Sequence, residues 1–208
     1  MYSLYVVTDP DISLGRSPVE IAALAYEGGA DVVQLRDKHA DGGQLLEWAK
    51  EIRKIADSSG KLFIVNDRLD IAILSKADGV HLGQSDIPVS DARKLVSPDF
   101  IIGASVKSVE DALKAERDGA DYLGLTVFET KTKADADPAA GLELLNEMHL
   151  AVSIPIVAIG GMSKENASSV VKAGADGVAF VSAVVSQKDV VRTSKDLKAL
   201  ITASKARR

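Results

Sequence analysis

GADVVQL, residues 29–35, is one of four near-copies of a single pattern. The others are KADGVHL at 76–82, GADYLGL at 119–125 and GADGVAF at 174–180. Each closes a helix-like segment and passes through Ala-Asp into an apolar run. A glycine just past a helix supplies the left-handed residue that stops it. The short apolar run that follows reads as a buried strand. The copies are unevenly spaced, so the pattern is a recurring helix-to-strand junction rather than a short solenoid repeat.

Extending outward from these junctions predicts eight strands, at 3–8, 31–36, 62–66, 78–82, 100–104, 120–125, 155–159 and 176–181. Helical patterns alternate with them near 18–28, 41–58, 68–75, 88–95, 108–118, 138–150, 163–172 and 188–204. Ser108 and Ser163 stand at helix starts, with acidic residues following. Pro18, Pro88 and Pro138 sit where first-turn prolines belong. Strict alternation of this kind implies a parallel sheet with helices outside, and eight units imply a closed (β/α)8 TIM barrel. A doubly wound open sheet would place a glycine-rich fingerprint after the first strand. The turn there reads TDPDISLGRSP. No linker or composition shift divides the chain, so residues 1–208 are expected to form one domain, with a frayed SKARR tail.

Composition narrows the chemistry. The chain has no cysteine, which excludes disulfides, thiolate nucleophiles and cysteine-ligated metals. Its three histidines, His39, His81 and His149, have no ligand-like neighbours in sequence, which argues against zinc. A net charge of −5 argues against a broad nucleic-acid surface, so any bound anion has to meet a local cluster of cations. No apolar run approaches transmembrane length, and the start of the chain lacks the parts of a signal peptide. The expectation is a soluble cytoplasmic protein that acts on small molecules without membrane or nucleic-acid partners. A homo-oligomer is compatible with the sequence.

In a barrel the active site lies on the loops at the strands' C-terminal ends. Side chains alternate along a strand, so Val33 and Leu35 are expected to face the helices. Gln34 and Arg36 then point into the barrel, with Lys38 above the rim. An inward arginine requires an anion or a carboxylate. The two readings are a phosphate clamp and a structural ion pair. Asp67, in NDRLD, and Asp86, in HLGQSD, end adjacent strands. Each alone reads as a helix cap. Together, opposite Arg36 and Lys38, they suit Mg2+ shared with a pyrophosphate. His81 has the inward phase and reads either as a pocket contact or as a satisfied core histidine. Ser105 ends IIGAS and can donate to a phosphate oxygen or to local backbone. VFETKTK adds Thr130, Lys131, Thr132 and Lys133 after the sixth strand. Gly160, Gly161, Val181 and Ser182 end the last two strands, where barrels often bind phosphate. The residues thus describe two anions in one pocket, and no covalent nucleophile or acid/base dyad stands out. Displacement of pyrophosphate by a phosphorylated partner fits that pattern.

The ordered set VVTD, QLRDK, NDRLDIA, ADGVHLGQSD, GAS, FETKTK, AIGGM and GADGVAFVSA resembles the thiamin phosphate synthase family over nearly the whole chain. The resemblance implies a (β/α)8 barrel that joins hydroxymethylpyrimidine pyrophosphate to a thiazole phosphate, with Mg2+. It assigns pyrimidine-pyrophosphate contacts to Gln34, Leu35, Arg36, Asp37, Lys38, Asn66, Ser105 and Lys133. It assigns magnesium to Asp67 and Asp86. It assigns thiazole-phosphate contacts to Thr130, Lys131, Thr132, Gly161, Val181 and Ser182. Arg36, Lys38, Lys133 and Ser105 would be the catalytic set, stabilising the departing pyrophosphate. The chain departs from the family in GLTVF, where Leu125 and Thr126 replace smaller residues and are expected to narrow the pocket. A thiazole tautomerase branch resembles the chain too, but relies on a histidine where Lys107 stands. The chain keeps NDR and TKTK, which favours a synthase. A tautomerase-like paralogue and a non-catalytic phosphate-binding barrel are the alternatives.

Overall fold

A computed structural model describes residues 2–129 and 139–207. Within them the chain runs β1 (Leu4–Val7), α1 (Pro18–Glu27), β2 (Val32–Leu35), α2 (Gly42–Ser59), β3 (Leu62–Asn66) and α3 (Leu69–Ser75). It continues through β4 (Gly79–Leu82), α4 (Val89–Arg93), β5 (Ile101–Val106), α5 (Val109–Arg117), β6 (Tyr122–Thr126) and α6 (Gly141–Ala151). It ends with β7 (Ile156–Ile159), α7 (Ala167–Lys172), β8 (Gly177–Phe180), α8 (Ser182–Val185) and α9 (Val190–Lys205). The strands pair in parallel in sequence order and β8 closes on β1, giving the eight-stranded barrel expected from the alternation.

The recurring Asp has a structural meaning. Asp31 Oδ2 accepts the Leu4 amide, Asp78 Oδ2 the Phe63 amide, Asp121 Oδ2 the Ile102 amide and Asp176 Oδ2 the Ile156 amide. Each aspartate also donates its own amide to the carbonyl of the same residue. Every odd-to-even strand pair is therefore pinned at its N-terminal end by one carboxylate. Cations join these pins, among them Lys198 on Asp31, Arg53 on Asp78 and Arg93 on Asp121. A charge-assisted bond to an otherwise unpaired strand amide contributes roughly 1.5–3 kcal/mol. This end of the barrel is thus committed to stability, and the opposite rim is left for chemistry.

Two apolar layers follow from strand alternation. Val33, Leu35, Phe63, Val65, Leu123 and Leu125 pack outward against the helices. Tyr2, Tyr5, Val7, Val32, Ile64, Tyr122, Val157 and Ala179 fill the barrel itself. Local signals set the helix starts. Ser17 and Glu20 form a reciprocal capping box that spans Pro18, and Ser108 accepts the Asp111 amide at 3.0 Å.

Three local expectations change. Ser163 does not open a helix directly: its amide donates to Asn166 Oδ1 at 2.8 Å, and the regular helix starts at Ala167. Asn side chains compete with helical hydrogen bonding in this way. Pro88 is the N-cap of α4 rather than a first-turn residue. The one-turn α8, absent from the sequence reading, separates β8 from the long last helix. Pro138 lies outside the described residues.

Candidate active site

A cavity of about 630 Å³ opens at the C-terminal ends of the strands. Among the sequence-nominated residues it is lined by Gln34, Arg36, Asn66, His81, Ser105, Gly161, Val181 and Ser182. One wall therefore comes from β2, β3, β4 and β5, and the other from the ends of β7 and β8.

Other nominated residues are placed differently. Leu35 is 1% exposed and faces the helices, so only its backbone is available to the rim. Asp37 Oδ1 accepts the His39 and Ala40 amides at 2.7 and 3.0 Å, which folds the loop after β2. Lys38 lies on that loop and is not part of the cavity lining. Thr130, Lys131, Thr132 and Lys133 lie outside the described residues.

Arg36 meets both a carboxylate and the cavity. Its Nη1 stands 3.4 Å from Asp9 Oδ2, and Asp9 lines the same cavity. The structural ion pair is thus present, and it sits at the rim. Thr8 fixes the strand beneath it, because its hydroxyl accepts the Arg36 amide at 2.8 Å and donates to the Arg36 carbonyl at 3.0 Å. Asp9 was not nominated from sequence, although its position at the end of β1 beside an inward arginine is the signal for it.

The two metal candidates are tethered to one segment. Asp67 donates its amide to the His81 carbonyl at 2.8 Å, and Asp86 Oδ2 accepts the Gly83 amide at 2.6 Å. Neither is a helix N-cap, since those positions fall to Arg68 and Pro88. Asp67 has φ +60°, a left-handed conformation that costs a non-glycine residue about 1 kcal/mol. Among the described residues no group of three or more His, Asp or Glu side chains forms a metal cage.

A polar chain crosses the barrel beneath the rim. Gln34 Nε2 donates to the Tyr5 hydroxyl at 2.8 Å, and Tyr5 and Tyr122 share a hydroxyl contact of 2.8 Å. His81 Nδ1 is 3.0 Å from the Tyr122 oxygen, and His81 Nε2 is 3.0 Å from Ser105 Oγ. His81 is therefore both bonded through its two nitrogens and exposed to the cavity, so the two sequence readings of it coexist. Burial pushes the Tyr5 and Tyr122 hydroxyls well above the ordinary phenol range. Two glycines make the room. A Cβ on Gly103 would lie 2.2 Å from the Tyr122 ring, and one on Gly124 would lie 2.8 Å from the His81 ring. The tyrosines were missed as site residues, although Tyr5 and Tyr122 both carry the inward phase.

On the opposite wall Gly160 and Gly161 have φ +81° and +57°. A Cβ on Gly161 would fall 2.5 Å from the Glu129 carbonyl oxygen, so the end of β7 packs directly on the loop that leaves β6. Val181 and Ser182 begin α8, whose end is gripped by Arg16: its Nη2 donates to the Val185 and Gln187 carbonyls at 2.8 and 2.6 Å. Leu125 faces the helices at 1% exposure and does not narrow the cavity, whereas Thr126 lines it.

Residues 4–184 match the family described as thiamine monophosphate synthase. The chain belongs to this family. It is 54% identical over 202 residues to the thiamine-phosphate synthase of Methanocella arvoryzae, covering 97% of this chain and 95% of the relative. It is 53% identical over 206 residues to the thiamine-phosphate synthase of Methanoculleus marisnigri, covering 99% and 98%. A solved thiamine phosphate pyrophosphorylase from Pyrococcus furiosus superposes with a TM-score of 0.89 at 41% identity, covering 97% of this chain and 96% of that one. Membership in the thiamine monophosphate synthase family makes the chain an enzyme of the transferase class. No helix among its described residues is long and apolar enough to cross a membrane.

Proposed function

We propose that the protein condenses hydroxymethylpyrimidine pyrophosphate with thiazole phosphate, or its carboxylated form, to give thiamin phosphate and pyrophosphate in the cytoplasm. The observation that carries this reading is one cavity with two walls suited to anions: Arg36, Asn66 and Ser105 on one side, and Gly161, Val181 and Ser182 on the other. Pyrophosphate belongs to the first wall, where arginine's planar fork matches phosphate oxygens. The monophosphate belongs to the second, where glycines admit backbone amides and the first amides of α8 lie outside its own ladder.

In the reaction the bond from the pyrimidine methylene to the pyrophosphate oxygen breaks, and its electron pair leaves with pyrophosphate. The methylene becomes cation-like and takes the lone pair of the thiazole nitrogen, forming the C–N bond. Arg36, Lys38, Lys133 and Ser105 stabilise charge growing on the leaving group, while the walls hold the two partners in line. Asp67 and Asp86 are hard oxygen donors on adjacent loops that would hold Mg2+ together with water and substrate phosphates, although neither lines the cavity itself. When bound, the ion neutralises leaving-group charge.

The names of the relatives favour this reading over a tautomerase. The test is to incubate the protein with both phosphorylated precursors and Mg2+ and assay thiamin phosphate and pyrophosphate. Equimolar formation of both, lost on chelation, is expected. Turnover of the thiazole phosphate alone would replace the reading with an isomerase.

A further inference from the structure

The chain from Gln34 to Ser105 has a direction that follows from counting hydrogens. The Gln34 amide nitrogen is a donor only, and it points at the Tyr5 oxygen. The Tyr5 hydroxyl carries one hydrogen, and at 1% exposure its direction is set chiefly by its protein partners. Its other hydrogen-bond partner is the Tyr122 oxygen. A buried hydroxyl hydrogen left without an acceptor is costly. Tyr5 therefore donates to Tyr122. Tyr122, also 1% exposed, has already accepted from Tyr5 and directs its single hydrogen to His81 Nδ1. An accepting Nδ1 places the imidazole hydrogen on Nε2, which donates to Ser105 Oγ. The Ser105 hydroxyl hydrogen is then displaced from the histidine and faces the cavity that Ser105 lines.

We infer that Tyr5 and Tyr122 are positioning residues which, from the donor end at Gln34, fix His81 as its Nε2–H tautomer and present the Ser105 hydroxyl hydrogen to the cavity as a preset donor. The recipient is an anionic oxygen, and it is the departing pyrophosphate if the proposed reaction holds. A donor oriented before the reaction pays no reorganisation cost as charge develops. The two tyrosines touch no substrate in this scheme. They act through His81 and Ser105.

The test reads the tautomer directly. Full-length protein labelled with 15N-histidine, without substrate at neutral pH, gives long-range 1H–15N patterns for only three histidines. A His81→Gln variant assigns the signal. The wild type should show His81 as Nε2–H. Gln34→Glu replaces the donor at the head of the chain by an acceptor, so every bond reverses and His81 should switch to Nδ1–H. Tyr122→Phe removes the hydroxyl that donates to Nδ1 and should give a mixture of tautomers. A wild-type Nδ1–H form, or a tautomer unmoved by Gln34→Glu, overturns the inference. A residue that only fills space would leave the tautomer unchanged.

In the two-substrate assay, Tyr5→Phe and Tyr122→Phe should lower kcat about five- to tenfold, the scale of one hydrogen bond misdirected, with KM little changed. Full kcat in both variants also overturns the inference. Absence of turnover in the wild type would instead refute the proposed reaction while leaving the tautomer assignment measurable.

Discussion

Arg36 Nη1 lies 3.4 Å from Asp9 Oδ2 at the mouth of the barrel, with 14% and 12% of the two side chains exposed. The guanidinium is thus already paired before any substrate arrives. A bound pyrophosphate has to share it with Asp9 or displace Asp9. Asp9→Asn keeps an oxygen for the Asp11 amide, which Asp9 Oδ1 accepts at 3.2 Å, but removes the competing charge. Affinity for inorganic pyrophosphate should rise roughly two- to fivefold, the scale of a partly screened ion pair. Calorimetric titration of pyrophosphate into both proteins checks it. Weaker binding in the variant would show that Asp9 orients Arg36 rather than competing for it.

The opposite end of the barrel governs acid stability. Burial alone would raise the Asp31 carboxyl, but the Lys198 ammonium and the Leu4 amide bond to it, and the net effect holds it below its usual range. A carboxyl depressed in the folded state contributes stability that is complete above its unfolded value of about 4. That contribution is lost as pH falls through the lower folded value. Asp31→Asn should therefore be less stable than wild type at neutral pH, and the gap should close as pH falls below about 4. Urea unfolding at several pH values measures it. A gap independent of pH would mean that the loss is one of packing.

Gly161 and Gly15 separate two costs that glycine avoids. Both have positive φ, +57° and +81°. A Cβ on Gly15 meets nothing within 4 Å, whereas one on Gly161 meets the Glu129 carbonyl oxygen at 2.5 Å. Gly15→Ala should cost only the backbone term, about 1 kcal/mol. Gly161→Ala should cost that and also displace the start of the β6 loop from the wall assigned to the monophosphate. Thermal unfolding together with KM for each substrate tests both. The expectation is a thiazole-phosphate KM at least tenfold higher for Gly161→Ala and unchanged for Gly15→Ala.

What could be read from the sequence was whatever local stereochemistry decides. Strand alternation alone put Gln34 and Arg36 inward and Val33 and Leu35 outward, and the structure agrees. The Ala-Asp echo marked four strand entries, but not that each carboxylate caps the start of the preceding strand. Partners of that kind are set by barrel closure, as are Tyr5 and Tyr122, which meet across 117 positions. Asp9 was legible in principle, because consecutive barrel strands are neighbours and the end of β1 lies beside Arg36. The short α8 carried no periodicity long enough to register.

Leu125 shows alternation being overlooked rather than insufficient. It shares the phase of Leu123, and both pack outward against the helices. The narrowing expected of Leu125 and Thr126 therefore falls into two separable effects. Leu125 fills the layer between barrel and helices, so Leu125→Ala should cost about 2–5 kcal/mol of stability. The cavity beyond the strand should be unaffected, and KM for both substrates should stay within about twofold of wild type, the scale of a neutral change away from the site. Thr126 lines the cavity, and a Cβ on Gly160 would lie 2.6 Å from its methyl carbon. Thr126→Ser removes that methyl at little cost in stability and enlarges the cavity beside Gly160, so its effect should be confined to substrate KM. Unfolding free energies and KM values for the two variants form a crossed pair. If Leu125→Ala moved KM while Thr126→Ser moved only stability, the outward placement of Leu125 would be wrong.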